Sequence, residues 1–209
     1  MNERIIQNLN DVSEGVEYLT NSCPRMAHAQ ALTGPLPLRR KPDGFAQLLS
    51  AIVSQQVSVA SANAIWGRMK AAGLTGPRKI KWASDDDLRA AGLSRQKIRY
   101  ARELAASGIN FNALRDKATP DVVAELTQVP GIGVWTAEIY AMFSLGRADV
   151  FAPGDLALQE AVRLLYDLPE RPKDRALREM AQRWHPWRSV AARQLWAYYH
   201  IAKQREGIR

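Results

Sequence analysis

The chain has 209 residues, enough for one good-sized core or two small lobes but too few for several independent domains. Hydrophobic residues make up 46% of it, which predicts a globular protein and excludes a disordered one. No apolar run approaches the roughly 20 residues that cross a bilayer, and the N-terminus lacks the apolar stretch of a secretory signal. A cytoplasmic protein with no membrane partner is therefore expected.

Basic residues outnumber acidic ones by 29 to 21, a net charge of +8. This excess suits a polyanionic partner, although many basic proteins never bind nucleic acid. Cys23 is the only cysteine, which excludes an internal disulfide and any four-cysteine zinc or iron–sulfur site in this chain. The three histidines, His28, His185 and His200, lack the spacing of metal ligands.

Helical patterns run through nearly the whole chain, and no stretch shows sustained two-residue alternation. The proline-rich segment 34–42 cannot be helical and predicts an extended connector. In chain order, helices are predicted at about 11–21, 24–32, 43–54, 58–72, 84–92, 94–108, 119–130, 133–145, 155–166, 172–184 and 187–204.

Several of these helices carry start and stop signals. Asp43, Ser84 and Ser94 are predicted N-caps, and Gly73 ends the helix before it. Thr119 is predicted to cap the next helix, because a proline follows it at the first helical position. The sequence thus predicts an all-α fold, a compact bundle of about ten short helices in two lobes.

The most informative local sequence lies at 126–137. One helix stops at Pro130, Gly131 and Gly133 flank Ile132, and a second helix starts at once. The glycines permit positive φ and close backbone approach, while Ile132 can plug the turn into the core. Free N–H groups at the start of the second helix can then hold a phosphate oxygen without reading sequence. The alternative is a tight helix–helix turn with no ligand.

A carboxylate follows shortly after this hairpin. The pair Pro153-Gly154 predicts a turn, and Asp155 opens the next helix. By itself this pattern favours a plain N-cap, because Asp before a helix is usually one. Helix and loop between Trp135 and Asp155 are nevertheless long enough to return the carboxylate towards the hairpin.

Hairpin, Gly/Pro loop and Asp in this order resemble the helix–hairpin–helix, Gly/Pro-Asp DNA glycosylase superfamily. Within it the chain is most similar to 3-methyladenine DNA glycosylase II, over roughly residues 43–204. Further similar segments lie at 49–58, 92–97 and 184–189, with Trp196 beyond. The resemblance implies a glycosylase domain at 43–204 in a short form without an N-terminal β-rich domain. Residues 1–42, the N-terminal helices and connector, are expected to pack on the C-terminal lobe.

The resemblance implies a DNA repair enzyme that acts in a DNA-binding cleft between the lobes. It would flip an alkylated base, of the 3-methyladenine or 7-methylguanine class, out of duplex DNA and hydrolyse its N-glycosidic bond. The product would be an abasic site. Asp155 matches the family's catalytic carboxylate, which stabilises the oxocarbenium-like charge on the sugar. Damaged double-stranded DNA in the bacterial nucleoid is the implied partner, and a monomer is expected.

Two tryptophans match the family's base pocket. Trp135 and Trp196 would hold a cationic base by stacking and cation–π attraction, with core packing as the alternative for each. Lyase-type members carry their nucleophilic lysine at the position of Trp135, so the resemblance implies a monofunctional enzyme without lyase activity. Ile139 and Leu156 stand where the family usually has aromatic residues, and the pocket shape is expected to differ accordingly.

The resemblance also implies DNA contacts and a cation site. Gln56 matches the wedge that fills the space of the flipped base, with a plain polar helix end as the alternative. The hairpin contacts are assigned to Gly131, Ile132, Gly133 and Thr136. A Na⁺ or K⁺ ion would bind the backbone carbonyls of Thr127, Val129 and Ile132. No cofactor is required, and no iron–sulfur cluster is expected.

Two other functions stay open at this point. One keeps the fold and changes the substrate to a deaminated base such as hypoxanthine or uracil. The other is a non-catalytic protein that uses the hairpin to hold DNA or bridge a partner, and whose function would not need Asp155.

Overall fold

The computed structural model describes residues 3–206, and this part of the chain is helical. Within that range no helix is both long and apolar enough to cross a bilayer. The α-helices in the same range are α1 (Leu9–Ser22), α2 (Pro24–Thr33), α3 (Phe45–Ser54), α4 (Val59–Ala71), α5 (Pro77–Trp82), α6 (Asp85–Ala90), α7 (Arg95–Ala106), α8 (Thr119–Thr127), α9 (Val134–Tyr140), α10 (Leu156–Leu165), α11 (Asp174–Met180) and α12 (Arg188–Glu206).

The all-α prediction is confirmed, with differences in the short elements. Helix α5, six residues with a proline in its first turn, was not predicted. The predicted helix 133–145 is α9 followed by a π-helical turn, Ala141–Leu145. The last turn of the predicted helix 172–184 is a 3₁₀ turn, Ala181–Trp184.

Helix starts follow the predicted caps at two of four positions. Ser84 and Ser94 each accept an N–H of the first turn, as predicted. Asp43 does not cap α3, because Gly44 is the N-cap and the Asp43 carboxylate accepts the Arg115 Nε–H at 2.7 Å instead. Thr119 is likewise the first residue of α8, and its N-cap is a preceding alanine without a side-chain hydrogen bond.

The chain divides into two compact units. Unit 1 holds the described residues up to Arg40 and those from Ala141 onward, and unit 2 is Lys41–Tyr140. Unit 1 therefore combines both ends of the described chain, and unit 2 is the segment between them.

Unit 1 is built around α12, which packs against α1, α2 and α10. Gly15 on α1 allows the close approach to α12, since a Cβ there would lie 2.6 Å from a Val190 methyl and 2.7 Å from the Trp187 ring. Buried Trp184 and Leu195 add to the apolar core. An isolated antiparallel bridge pairs Ile5 with Arg147, the one β-type pairing in the described residues.

Unit 2 packs α3 against α4 and α7, α5 against α7, and α8 against α9. The core side chains are apolar and buried: Leu48, Leu49, Ile52, Ile80, Leu88, Leu104, Leu126 and Ile132. Arg102 on α7 holds the end of α5, because its guanidinium donates to the carbonyls of Ile80, Lys81 and Ala83. This unit presents the α8–α9 hairpin.

Candidate active site and nucleic-acid interface

In the hairpin between α8 and α9, the Ile132 side chain packs into the core, as predicted. Ile132 is buried, and its N–H donates to the Val129 carbonyl at 3.0 Å inside the turn. The first i→i−4 bond of the next helix runs from Ala137 N–H to the Gly133 carbonyl, also at 3.0 Å. The N–H groups between these two bonds lie in the first turn of α9, where a helix has no internal acceptors for them. The Ile132 N–H is used within the turn, so the amides from Gly133 onward are the ones that could meet a phosphate.

The two hairpin glycines differ in what they require. Gly131 has a φ of +93°, and a Cβ there would lie 2.4 Å from the Tyr100 ring on α7. Gly133 has no positive φ, and a Cβ there would have no heavy atom within 4 Å. Gly131 is thus fixed by the fold, whereas Gly133 opens onto space beside the first turn of α9.

The residues at the start of α9 face different ways. Val134 and Trp135 are 49% and 46% exposed, whereas Thr136 is only 7% exposed. The Thr136 side chain therefore belongs mainly to the interior, and only its backbone N–H remains available for the predicted DNA contact.

The connection from α3 to α4 lies beside the hairpin within unit 2. The Gln55 amide donates to the Gly131 carbonyl at 2.8 Å and so ties the end of α3 to the turn. Gln56 follows with a φ of +56°, a left-handed conformation that a non-glycine residue adopts only when its surroundings hold it. Its side chain is exposed, as a wedge would need. A pocket of about 530 Å³ adjoins this connection and the hairpin, and Lys97 lines it.

Lys97 is buried enough for desolvation to lower the pKa of its ammonium group. Its Nζ donates to the Val53 carbonyl at 2.7 Å, near the C-terminal end of α3. A cation at this end complements the helix dipole and holds the turn that carries Gln55 and Gln56.

Asp155 in unit 1 is the N-cap of α10. Its Oδ1 accepts the N–H groups of Ala157 at 2.9 Å and Leu158 at 3.0 Å. The same oxygen accepts the indole N–H of Trp196 at 3.2 Å. Asp155 therefore caps α10 and also contacts the predicted pocket residue Trp196, so a capping role does not exclude a role in the site. Leu156 beside it is 64% exposed.

Trp196 is part of an aromatic stack in unit 1. Its ring centroid lies 5.8 Å from that of Phe143, and the Arg193 guanidinium carbon lies 4.8 Å from the centroid of the same Phe143 ring. Arg193 is 1% exposed. Its burial, and to a lesser extent repulsion from Arg39 and Arg40, lowers its pKa to about 10. Arg193 therefore stays charged at pH 7 and places a buried cation beside the Phe143 ring that contacts Trp196.

The loop that leads to Asp155 is pinned by the start of α12. Asp149 accepts the Arg188 Nε–H at 2.7 Å and binds His185 Nδ1 at 2.6 Å. Burial works to raise the pKa of Asp149, but the hydrogen bonds and charges of Arg188 and His185 outweigh it and leave the pKa below its usual value. The buried Ser189 hydroxyl donates to loop carbonyls, at 2.6 Å for that of Arg147.

Sequence reasoning found Asp155, Trp196 and the hairpin but gave no role to Gln55, Lys97, Asp149 or Ser189. Gln55, Lys97 and Ser189 lie inside the segments 49–58, 92–97 and 184–189, which carried the resemblance. Their hydrogen bonds reach backbone carbonyls 76, 44 and 42 residues away, so no local sequence pattern could reveal these partners.

The three carbonyls predicted to bind a monovalent cation lie at the turn. Thr127 is the last residue of α8, where helix geometry leaves carbonyls without internal donors. The Val129 carbonyl already accepts the Ile132 N–H, and its second lone pair would serve a cation. Oxygen donors of this kind fit a hard monovalent ion, and the site remains a prediction. Among the described residues no cluster of His, Cys, Asp and Glu could hold a metal ion.

Helices joined by a glycine turn, with a carboxylate at the start of a later helix, define a helix–hairpin–helix protein with a Gly/Pro-Asp loop. Residues 49–186 match the family described as the HhH-GPD superfamily base excision DNA repair protein. The chain belongs to this superfamily.

Relatives of similar length extend the comparison. DNA-3-methyladenine glycosylase 1 of Schizosaccharomyces pombe is 28% identical over 99% of this chain and 95% of its own. A crystal structure of DNA-3-methyladenine glycosidase from Bacillus halodurans is 33% identical, with a TM-score of 0.82 over 98% of this chain and 95% of that one. The S. pombe enzyme Mag1, solved in complex with abasic DNA, is 25% identical, with a TM-score of 0.76 over 91% of this chain and 97% of that one.

Proposed function

We propose that this protein is a monofunctional DNA glycosylase that removes alkylated purines of the 3-methyladenine class. The observation that carries the proposal is the Asp155 carboxylate, held on one oxygen by two helix N-terminal amides and the Trp196 indole. Relatives that bear the 3-methyladenine glycosylase name cover nearly the whole chain and support the substrate class.

The chemistry is the hydrolysis of the bond between C1′ of deoxyribose and the base nitrogen. That bond breaks with its electron pair leaving on the base, and positive charge grows on C1′ and the ring oxygen. The Asp155 carboxylate stabilises this charge, and water adds to C1′ and loses its proton to the carboxylate or to solvent. An alkylated purine leaves as a neutral base because it carries a positive charge in the nucleotide, so no acid need protonate it.

DNA would be held through its backbone by unit 2. The amides from Gly133 onward would receive a phosphate oxygen, and Gln56 would fill the space of the flipped nucleotide. Trp135, which is 46% exposed, would stack on the cationic base. A tryptophan cannot form a Schiff base, which supports a reaction without strand cleavage.

The experiment that tests this function uses Asp155→Asn. Asparagine still caps a helix, so the fold and DNA binding should persist, while base release should fall by about 10²–10⁴-fold because the negative charge is lost. Single-turnover release of 3-methyladenine and 7-methylguanine from methylated duplex DNA measures the rate, and gel analysis shows whether the abasic strand stays uncut.

A matched control is Asp86→Asn, which makes the same change in the first turn of α6, at a side chain that is 92% exposed. It should release bases at the wild-type rate. Full release by Asp155→Asn would remove this carboxylate from the mechanism and leave a DNA-binding role. Preferred release of hypoxanthine or uracil from a lesion panel would instead keep the fold and change the substrate, and strand cleavage would contradict the absence of lyase activity.

A further inference from the structure

Unit 2 carries a second pocket that the proposed function does not use. It encloses about 780 Å³ and is lined by residues from the end of α4, from α5 and from α6. Arg68, Arg78 and Lys79 supply its cations and Trp82 its aromatic side chain, and most of the other lining residues are alanines. We call this pocket the basic groove. It shares no lining residue with the pocket beside the hairpin.

Trp82 stands out at the end of α5. It is 79% exposed, the highest value among the large hydrophobic side chains described. The Lys81 ammonium lies 5.5 Å from its ring centroid. Exposed aromatic side chains beside a groove are typical of protein interfaces, where tryptophan often contributes most of the binding energy.

The cations of the basic groove are exposed, and one of them is held by a hydrogen bond. Among the residues described, neither Arg78 nor Lys79 forms an ion pair, and both are exposed. Arg68 is oriented by a hydrogen bond from its Nε–H to the Ala91 carbonyl at 2.9 Å. Its guanidinium also covers Gly92, since a Cβ there would lie 2.4 Å from the Arg68 terminal nitrogen. An incoming carboxylate would thus meet one donor held by a hydrogen bond and two exposed ones.

Nearby acidic residues favour a peptide over a nucleic acid. Asp87 lines the basic groove, and Asp85 and Asp86 precede it on α6. A nucleic-acid strand carries a phosphate at every nucleotide, so its charges would face these carboxylates as well as the cations. A peptide can place carboxylates only opposite the cations and an apolar side chain opposite the alanines and Trp82.

We propose that the basic groove binds an acidic peptide segment of a partner protein. An apolar or aromatic anchor of that segment packs against Trp82 and the alanines. Its carboxylates pair with Arg68, Arg78 and Lys79. The groove and the pocket beside the hairpin have no lining residue in common, so the partner need not displace DNA from the hairpin.

The test starts from selection of a displayed library of random 12-residue peptides on the full-length protein, with no selection for dependence on Trp82. The enriched sequences should combine several Asp or Glu residues with at least one aromatic or large aliphatic residue. A fluorescein-labelled synthetic copy of one enriched peptide is then titrated by anisotropy. Both Trp82→Ala and the double variant Arg78→Glu, Lys79→Glu should weaken its binding at least tenfold.

Controls separate the groove from general charge and from folding. The double variant Lys173→Glu, Arg175→Glu makes the same charge change at exposed positions around the start of α11 and should bind the peptide as wild type does. Thermal melts of all variants should coincide. Enrichment of neutral or basic peptides, no enrichment, or binding that ignores Trp82 would overturn the proposal. If a 12-nucleotide single strand displaces the peptide, and if binding of that strand also depends on Trp82, the groove is assigned to nucleic acid instead.

Discussion

At the scale of single residues, the Oδ1 atom of Asp155 accepts three N–H donors from two parts of the chain. The amides of Ala157 and Leu158 come from the helix that Asp155 itself starts, and the Trp196 indole comes from α12. Three donors on one oxygen fix the plane of the carboxylate. A carboxylate held in this way need not reorganise as charge develops on a substrate, which is what electrostatic stabilisation of a transition state requires.

Trp196→Phe tests the contribution of the indole donor. Phenylalanine keeps an aromatic ring near Phe143 but loses the N–H that meets Asp155, so base release should fall by about 10–100-fold, the value of one hydrogen bond to a charged group. Single-turnover rates at saturating enzyme measure this, with the affinity for abasic duplex DNA measured in parallel. Trp82→Phe is the matched control and should leave the rate unchanged. A rate equal to wild type in Trp196→Phe would limit Trp196 to packing.

The sequence predicted part of this residue-scale arrangement. Asp155 as an N-cap follows from the Pro-Gly turn before it and the helical pattern after it, because both are local. The Trp196 contact spans 41 residues and depends on how α12 packs against α10, so no local pattern could reveal it. The resemblance named Trp196 as a pocket residue without its hydrogen bond.

At the scale of elements, α12 holds the loop that leads to Asp155 at two places. Arg188 and Ser189 at its start bind the loop at 147–150, and Trp196 two turns later binds Asp155. Loops that carry catalytic groups are usually more mobile than the helices beside them. Attachment to one rigid helix at both places should keep the carboxylate in position.

The Asp149 ion pair predicts a specific pH dependence of stability. Its pKa in the folded protein lies below the usual value of about 3.9, so its stabilisation is fully present above that pH and is lost as pH falls through the folded pKa. Asp149→Asn should therefore be less stable than wild type by roughly 1–3 kcal/mol at pH 7, and the gap should close below about pH 4.

Urea unfolding at pH 7, 5 and 3 measures this gap in the free energy of unfolding. Asp86→Asn serves as the control, because its exposed ion pair with Arg89 should leave no comparable gap at any pH. An undiminished difference between Asp149→Asn and wild type at pH 3 would mean that packing, not charge, gives Asp149 its effect.

The hairpin allows a matched pair of glycine substitutions. Gly131→Ala should destabilise the protein by about 1–3 kcal/mol, because the residue has a φ of +93° and its Cβ would collide with Tyr100. Gly133→Ala should change stability by less than about 0.5 kcal/mol, since its Cβ would point into open space. The same methyl should weaken duplex binding by about tenfold if a phosphate approaches there.

Thermal unfolding and anisotropy with labelled duplex DNA measure the two effects separately. Loss of stability in both variants would show that the turn is equally tight at each glycine. Unchanged DNA affinity in Gly133→Ala would move the phosphate contact away from the first turn of α9.

Element boundaries were predictable where the signal was long or capped. The helices before Gly73 and after Ser94 lie close to their predicted places, because a cap or a stop residue marks them. Helix α5 was missed because six residues give too few turns for a periodic pattern, and the Arg102 hydrogen bonds that hold its end come from α7. The π-helical turn after α9 is equally invisible in the sequence, since its residues read as a continuous helix.

At the scale of the whole molecule, the net charge of +8 predicts salt-sensitive DNA binding. Raising KCl from about 50 to about 200 mM should weaken binding to undamaged duplex DNA by at least about tenfold, as expected when two or more phosphates are neutralised. Anisotropy titrations at four salt concentrations give the slope. Base release at saturating enzyme should vary much less. A slope near zero would exclude the phosphate contacts assigned to unit 2.

The all-α class and the two lobes followed from composition and pattern, whereas the packing of residues 1–42 on the C-terminal lobe was expected from the resemblance alone. The glycosylase domain predicted to begin at residue 43 marks the extent of the resemblance, and the compact units divide at Arg40 and Tyr140. A sequence pattern reveals segments in order and cannot by itself show that α1 and α2 pack with α12. That grouping depends on contacts between the two ends of the described chain.

The hydrogen bond from the Gln194 side chain to the Met26 carbonyl, 2.6 Å long, joins positions 168 residues apart. During synthesis, Met26 leaves the ribosome long before α12 has been translated. Until then α1 and α2 lack the helix against which they pack. Unit 2 is continuous in sequence and can assemble while the rest is still being translated. We expect the unit that contains the hairpin to fold first, and the unit that contains Asp155 to fold only when α12 has been translated and has docked on α1 and α2.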